Sequence, residues 1–364
     1  MITYKAKIQK VLNNIILTKQ SPISVVHFLT NRCNARCSFC FIDFDNPNTF
    51  KNELSLDEIK ILTKNFGETL LNVNFTGGEP FARKDITEIA KSYIDNTTIQ
   101  SIYITTNGSL PERVISYARE IHNYNSKIEQ SFQISVDHFP ENHDRVRKIK
   151  DLFNNCLKTY EGLKKLNIEN IQPSINITVS QENCKKIKDI FYYLINDCGI
   201  DSIKCCIVRD EGIYKTPNEK KKEIYDAYIW LTGEISKLKK HNKINNYSNS
   251  IQSKIHNKKD EISWDMVKKM YMDNKYISPC HASSLFGVIT ADGKVYPCEI
   301  LEDKLIGDLR SNKMNFINLW KSKKNSEIKS FIKDTKCRCT YECALSFNIL
   351  GNWRYQFKLL SSIL

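Results

Sequence analysis

Three cysteines in one short segment constrain this chain more than any other feature. Cys33, Cys37 and Cys40 form a CxxxCxxC run directly after the apolar, β-branched residues 24–29. Three thiolates on one loop can bind three irons of a four-iron cluster and leave the fourth iron open to another molecule. Zinc would need a fourth protein ligand, and its usual paired CxxC spacings differ from this triplet. The spacing therefore favours an iron–sulfur cluster with an open iron over a zinc site.

Length, composition and cysteine usage predict a cytoplasmic globular protein. The chain has 364 residues, of which 41% are hydrophobic and 26% charged, enough for a large core. No apolar stretch reaches about 18 residues, so neither a membrane span nor a secretory signal is predicted. Thirteen cysteines without such a signal indicate a reducing compartment and metal or redox use rather than disulfides.

The excess of basic residues leaves two interpretations. A formal net charge of +13 could indicate an acidic partner such as RNA. Much of the excess, however, lies in Lys-rich segments such as 219–223 and 237–243, which lack the interleaved aromatic residues of a base-stacking surface. Solvated helix faces explain these segments better, and nucleic acid is not the favoured partner.

Short apolar strands alternate with amphipathic helices between residues 24 and 209, a pattern typical of βα units around a parallel sheet. The predicted strands are 24–29, 71–75, 101–105, 132–136, 174–179 and 203–208. Six strands fit a partial (βα)6 TIM-type barrel, in the α/β class, better than a closed eight-stranded barrel. Polar motifs follow four of these strands. Because the carboxyl ends of barrel strands share one rim, the motifs are expected at a single active site.

Four further segments have the form of a known family. The signature of the radical S-adenosylmethionine (SAM) enzymes is a three-cysteine loop with an aromatic or apolar residue, here Phe39, before its last cysteine. The chain resembles this family in NFTGGEP at 74–80, TTNG at 105–108, ISVD at 134–137 and HDRVR at 143–147. His138 stands where the family usually has Gly, so a different turn is expected there.

The resemblance implies a cofactor set and a reaction. A 4Fe-4S cluster on Cys33, Cys37 and Cys40 would bind SAM at its open iron and cleave it to a 5′-deoxyadenosyl radical, which abstracts hydrogen from a substrate C–H bond. An external electron donor such as flavodoxin or ferredoxin would reduce the cluster. Arg147 or Arg209 would pair with the SAM carboxylate. The cofactor-binding residues implied are Phe39, Gly77, Gly78, Glu79, Asn107, Ser135, Asp137, Arg147 and Arg209.

A second cysteine set lies near the C-terminus. Cys280 and Cys298 flank a predicted hairpin with an Asp-Gly turn, and Cys337, Cys339 and Cys343 follow a predicted helix. This region resembles the C-terminal extension of radical SAM enzymes called SPASM or, in its shorter form, twitch. Five cysteines are too few to ligate two four-iron clusters fully, so one auxiliary 4Fe-4S cluster is predicted. Its expected ligands are Cys280, Cys298 and Cys343, with Cys339 or Cys337 as the fourth, and zinc is the alternative.

Two adjacent cysteines remain as candidate catalytic residues. Cys205 and Cys206 lie on the sixth predicted strand, where alternation must turn one of them toward the barrel interior. An inward thiol could donate a hydrogen atom to a substrate radical, although filling of the core explains these cysteines, like Cys156, Cys184 and Cys198, more simply.

The expected organisation has five parts. These are an N-terminal lead-in (1–21), the partial barrel (22–212), a Lys- and Asn-rich helical linker or insertion (213–275), the auxiliary-cluster extension (276–347) and a C-terminal tail (348–364). The linker is interpreted as a spacer in preference to a cover over the substrate.

Three functions compete at this stage. The leading hypothesis is a radical SAM oxidoreductase that acts on a peptide, a carbohydrate or another small metabolite. An iron–sulfur electron-transfer or scaffold protein without SAM cleavage is the second. An RNA-modifying radical SAM enzyme is the third, and it depends on the charge alone.

Overall fold

Strands and helices alternate along most of the chain. The structure, a computed structural model, describes residues 4–209, 214–244 and 251–361. The strands are β1 (Ser24–Thr30), β2 (Asn72–Gly77), β3 (Ser101–Thr106), β4 (Glu129–Ser135), β5 (Ile171–Val179), β6 (Ile203–Ile207), β7 (Phe286–Ile289), β8 (Lys294–Tyr296) and β9 (Gly307–Asp308). The helices up to the sixth strand are α1 (Tyr4–Asn13), α2 (Leu56–Thr63), α3 (Ile86–Asn96), α4 (Pro111–Tyr124), α5 (Pro140–Arg147), α6 (Leu152–Lys165) and α7 (Ile187–Asn196). The later helices are α8 (Asn218–Lys240), α9 (Ile251–Tyr271), α10 (Phe316–Trp320), α11 (Lys323–Asp334), α12 (Glu342–Leu350) and α13 (Trp353–Leu360).

The first six strands form an unclosed parallel barrel, which confirms the predicted fold class. Each strand from β1 to β5 pairs in parallel with the next strand along the chain. Within the described residues β6 does not pair with β1, so the barrel stays open on one side. All six strands therefore point their carboxyl ends to the same rim.

Local sequence signals begin the helices that surround the sheet. Ser55 caps α2 by accepting a hydrogen bond from the Glu58 backbone at 3.2 Å, and the Glu58 carboxylate accepts one from the Ser55 backbone at 2.8 Å. Pro111 begins α4, where its missing N–H leaves no hydrogen bond unmade. Both helix starts were predicted from the sequence.

The strands separate an apolar side from a polar interior. Phe75 of β2 and Phe132 of β4 are fully buried and contact the aromatic side chains Tyr93 of α3 and Tyr117 of α4. The alternate residues, such as Thr178 of β5, face the other way and are only half-buried. The packed core thus lies between sheet and helices, and the polar face lines the barrel interior.

The C-terminal extension continues the barrel sheet. Strand β7 pairs in parallel with β1, and β8 pairs antiparallel with β7. Gly293 has φ of +86° in the turn between β7 and β8, a conformation that favours glycine. The predicted hairpin is confirmed, and its attachment to β1 brings the second cysteine set close to the first.

The segment between barrel and extension is part of the packed fold. Helix α8 lies against β6, helix α9 lies against α12, and the Tyr228 hydroxyl of α8 donates to Glu342 of α12 at 3.0 Å. An amphipathic stripe on α8 is buried against these neighbours. The predicted boundary between residues 212 and 213 lies outside the described residues. None of the described helices combines the length and apolar character needed to cross a membrane.

Candidate active site

The three cysteines of the first set lie on the loop after β1, at the carboxyl rim. Backbone hydrogen bonds join this loop to α5, from Arg36 N to the Arg147 carbonyl at 3.0 Å and from Ser38 N to the Val146 carbonyl at 3.3 Å. The loop is thereby held by the helix that follows β4, although more than 100 residues separate the two in sequence.

Each sulfur of the first set receives an N–H donor. Cys33 Sγ accepts from Ala35 N at 3.3 Å and from Asn107 Nδ2 at 3.7 Å. Cys37 Sγ accepts from an Arg147 guanidinium nitrogen at 3.8 Å, and Cys40 Sγ from Ile42 N at 3.4 Å. Hydrogen bonds to the sulfurs are among the features that tune iron–sulfur clusters, so these donors fit thiolate ligands.

The protonation of these thiols depends on what they bind. Burial raises the pKa of Cys33 to about 11 and also raises the pKa values of Cys37 and Cys40, while the Arg147 charge offsets part of the effect at Cys37. Iron binding must therefore displace protons, as it does at any thiolate site. The residues present fit a cluster held by three thiolates.

Gly77 and Gly78 are required by the close approach of two strand ends. A Cβ atom on Gly77 would lie 2.1 Å from the Thr30 carbonyl oxygen, and one on Gly78 would lie 2.2 Å from the Arg32 carbonyl oxygen. Gly77 also has φ of +133°. Both glycines thus allow the loop after β2 to pack beside the cysteine loop.

Glu79 is a fully buried carboxylate that joins the ends of β2 and β3. It accepts hydrogen bonds from Phe81 N at 3.1 Å, from Thr106 Oγ1 at 2.8 Å and from Asn107 N at 2.7 Å. Burial raises its pKa, and these three donors partly offset the rise. The carboxylate fixes the position of Asn107, whose amide also contacts Asn34 Oδ1 at 2.8 Å.

A buried ion pair closes the opposite side of the cysteine loop. Asp137 accepts hydrogen bonds from the Arg147 guanidinium at 2.6 and 2.9 Å, and its second oxygen accepts from Thr178 N at 2.8 Å. The Arg147 guanidinium also lies 5.7 Å from the centre of the Phe39 ring. Ser135 lies two residues earlier at the end of β4, where its carbonyl contacts the buried Cys156 thiol at 3.7 Å.

The five cysteines of the second set occupy one neighbourhood in the extension. Cys280 and Cys337 lie beside each other, and their interaction raises the pKa of Cys280 and lowers that of Cys337. Cys339 lies within electrostatic reach of Cys298 and Cys343. Neighbouring backbone N–H groups offset part of the rise in pKa that burial causes at Cys280, Cys298, Cys339 and Cys343.

Arg209, just after β6, connects the two cysteine sets. Its guanidinium pairs with Glu299, next to Cys298, and lies 4.3 Å from the centre of the Tyr341 ring. It also lies 5.6 Å from the ring of Phe41, which follows Cys40. Sequence reasoning missed Phe41, Glu299 and Tyr341, because they belong to no motif, although each lies within two residues of a cysteine in a predicted set.

A cavity of about 510 Å³ lies between the two cysteine sets. Its walls include Phe28 of β1, Phe41 of the first cysteine loop, and Cys298 and Tyr341 of the extension, with Arg209 between them. A volume of this size lies in the range of small-molecule sites.

The structure separates the two adjacent cysteines of β6. Cys206 faces the barrel interior, where it contacts Asn176 Nδ2 at 3.5 Å and Thr178 Oγ1 at 3.6 Å. Cys205 has the opposite orientation and is buried in the core. Only Cys206 faces the interior where a substrate radical could form.

Cysteines on the loop after β1 and on three segments of the extension form two sets, and Cys298 of the second set lines the cavity between them. Two such sets on a partial barrel are typical of an iron–sulfur protein. Among the described residues, no three His, Cys, Asp or Glu side chains are grouped to hold a metal ion.

Two family models match the chain and together cover well over half of it. The Radical SAM superfamily model matches residues 28–191, and the SPASM iron–sulfur cluster-binding domain model matches residues 280–344. The chain belongs to the radical SAM superfamily of enzymes and carries a SPASM domain. Its cofactors are accordingly SAM, the 4Fe-4S cluster that binds SAM, and auxiliary iron–sulfur clusters of the SPASM domain, as the resemblance implied.

Curated relatives match only part of the chain. Fe-coproporphyrin III synthase of Methanosarcina barkeri is 32% identical over 178 residues, which are 48% of this chain and 41% of the relative. GTP 3′,8-cyclase of Klebsiella pneumoniae is 34% identical over 112 residues, 30% of this chain and 32% of the relative. The chain thus spans less than half the length of these relatives.

Solved structures of low identity share the fold over nearly the whole chain. Native anSMEcpe with bound AdoMet is 18% identical with a TM-score of 0.61, and the match covers 94% of this chain and 96% of that one. SuiB of Streptococcus suis bound to the precursor peptide SuiA is 15% identical with a TM-score of 0.58, covering 90% and 70%. At these identities the likeness is one of fold.

Proposed function

We propose that this chain cleaves SAM reductively at Cys33, Cys37 and Cys40 and oxidises a substrate in the cavity between the two cysteine sets. The observation that carries the proposal is the cavity itself, because Phe41 and Cys298 line it from the two sides. When bound, the cluster and SAM supply a 5′-deoxyadenosyl radical that removes a hydrogen atom from a substrate C–H bond.

The chain's own residues would hold SAM at the rim. Gly78 and Glu79 would lie toward the SAM amino group, and Asn107 and Ser135 toward its ribose or carboxylate. The Glu79 carboxylate keeps this arrangement rigid through its three internal donors. Arg147 already neutralises Asp137, so we assign it to orienting the cysteine loop through Cys37 and Phe39. Arg209 is paired with Glu299 and positions the cavity wall rather than the SAM carboxylate.

The auxiliary cluster would accept the second electron of the oxidation. We assign its ligands to Cys280, Cys298, Cys339 and Cys343, because neighbouring backbone N–H groups favour the thiolate form of these four sulfurs. Cys337 is then the fifth thiol, which lies beside Cys280 and is not assigned as a ligand. Four thiolates would leave no open iron, which fits electron acceptance better than substrate binding.

Two substrate classes fit the cavity, a peptide side chain and a carbohydrate or other small metabolite. The cavity volume admits either one side chain or one sugar ring. The peptide class is supported by two structural neighbours of the same fold that hold peptides, anSMEcpe with the Kp18Cys peptide and SuiB with SuiA.

The test is formation of 5′-deoxyadenosine by the anaerobically reconstituted protein, reduced with dithionite, with and without size-separated fractions of host extract. An increase with the peptide fraction would identify a peptide-modifying enzyme, and an increase with the small-molecule fraction a metabolite oxidase. Cys37→Ala is the negative control, and Cys184→Ala, a buried thiol outside both cysteine sets, is the matched variant. No 5′-deoxyadenosine from iron-loaded protein in any fraction would leave the scaffold function instead.

A further inference from the structure

One surface of the extension carries much of the chain's positive charge. Residues 321–338 contain seven Lys and Arg and only two Asp and Glu, more than a third of the formal net charge of +13. The segment comprises α11 and the turn that leads to the last three cysteines. Charge of one sign gathered on one element produces a local field that a uniform distribution would not.

Exposed cations lie at both ends of α11, and those at the amino end are Lys321, Lys323 and Lys324. Lys333, Lys336 and Arg338 are exposed, and we call them the α11 basic edge. Lys323, at the other end of the helix, pairs with Glu327 at 3.9 Å. Neither Lys333 nor Lys336 forms an ion pair within the part of the chain that the structure describes, so their charges face solvent.

This edge surrounds the least enclosed thiol of the second set. Cys337 lies between Lys336 and Arg338 in sequence, and its backbone N–H donates to the Ile332 carbonyl of α11 at 3.0 Å. The other four thiols are more deeply enclosed, and Cys280, an assigned ligand, lies beside Cys337. The auxiliary site therefore comes nearest to the surface at the basic edge.

We propose that the α11 basic edge is the docking surface for an acidic one-electron carrier protein, of the flavodoxin or ferredoxin type. The inference rests on the proposed function, in which each oxidation leaves one electron at the auxiliary cluster. On docking, that electron passes to the oxidised cofactor of the carrier, and no atom is transferred. Complementary charge aligns such partners and accelerates their encounter.

RNA is the other polyanion that a basic surface could bind. Base stacking needs free aromatic faces, and one face of the exposed Phe331 of α11 is already in contact with the Lys304 ammonium, 4.5 Å from the ring centre. A nucleic acid would also gain nothing from a nearby thiol set, whereas an electron carrier must approach it closely. The observations therefore favour the carrier.

The test measures binding of an oxidised, acidic flavodoxin to the iron-loaded protein by calorimetry at low and at physiological salt. The variant Lys333→Glu/Lys336→Glu should bind at least about 10-fold more weakly than the wild type at low salt. The matched control, Lys158→Glu/Lys165→Glu on α6, has the same charge change on the far side of the barrel and should bind within about 2-fold of the wild type.

Three results would overturn the proposal. The first is that the two double variants weaken flavodoxin binding equally. The second is that the wild type does not bind flavodoxin at either salt concentration. The third is that a single-stranded RNA 20-mer binds more tightly than flavodoxin, with the same dependence on Lys333 and Lys336. Dithionite-driven 5′-deoxyadenosine formation serves as the internal control. It should be equal in the variant and the wild type, because dithionite bypasses the carrier. If neither the variant nor the wild type forms 5′-deoxyadenosine, the proposed function is contradicted, and the flavodoxin-binding result is unaffected.

Discussion

The two cysteine sets of this protein differ in what holds their sulfurs. In the barrel set, two of the donors are side chains from distant strands and helices, Asn107 to Cys33 and Arg147 to Cys37. In the auxiliary set, the groups that favour the thiolates are backbone N–H groups one to three residues away. The sulfurs of the barrel set thus receive part of their polar support from distant elements of the fold, whereas those of the auxiliary set receive it from neighbouring residues. Removing one side chain should therefore have a larger effect at the barrel site than at the auxiliary site.

The largest expected effect comes from removing a barrel thiol. Cys37→Ala should lower 5′-deoxyadenosine formation by more than about 1,000-fold, because two thiolates cannot hold the SAM-binding cluster in place. The measurement is chromatographic quantitation of 5′-deoxyadenosine after dithionite reduction. Cys184→Ala should retain the wild-type rate, and an equal loss in that variant would show that the effect is structural.

The two arginines beside the sites should contribute unequally to stability. Arg147→Ala leaves the Asp137 carboxylate, only 4% exposed, without its partner and should lower the free energy of unfolding by about 3–5 kcal/mol. The side chain of Arg209 is 33% exposed, so Arg209→Ala should cost less, about 1–3 kcal/mol. Urea unfolding of the apo-proteins measures both. A larger loss in Arg209→Ala would contradict the view that the barrel site depends more on its surroundings.

Removing an auxiliary ligand should uncouple the reaction. Cys298→Ala should lower product formation by about 10–100-fold, because the second electron loses its acceptor, while 5′-deoxyadenosine is still formed. The ratio of 5′-deoxyadenosine to product, measured by mass spectrometry with the active fraction, checks this. A ratio that stays at the wild-type value would show that the auxiliary cluster has no part in the oxidation.

The smallest effect is expected at β6. The proposed oxidation sends its second electron to the auxiliary cluster, so Cys206→Ala should change product formation by less than about 2-fold. Cys205→Ala, its matched control in the core, should lower stability by about 1 kcal/mol without changing the product. A product that takes up deuterium from D2O in the wild type but not in Cys206→Ala would show instead that Cys206 donates a hydrogen atom.

Much of the fold could be predicted because it follows from local patterns. Apolar strands, the Ser55 cap, Pro111 and the Asp-Gly turn each determine their own element. The pairing of β7 with β1 and the packing of α8 and α9 could not be predicted, since they depend on contacts between residues far apart in sequence. The segments proposed to bind SAM have the form of motifs, whereas the pairing of Arg209 with Glu299 could not be predicted, because 90 residues separate the two in sequence.

The central claim is that the barrel and the extension hold separate clusters and that only the barrel cluster meets SAM. Electron paramagnetic resonance of the reduced protein, with and without SAM, tests it on a Cys33→Ala/Cys37→Ala/Cys40→Ala variant. We predict that SAM changes the wild-type spectrum, whereas the variant keeps one cluster signal that SAM does not alter. A variant that loses all of its iron, or whose remaining signal still responds to SAM, would contradict the account.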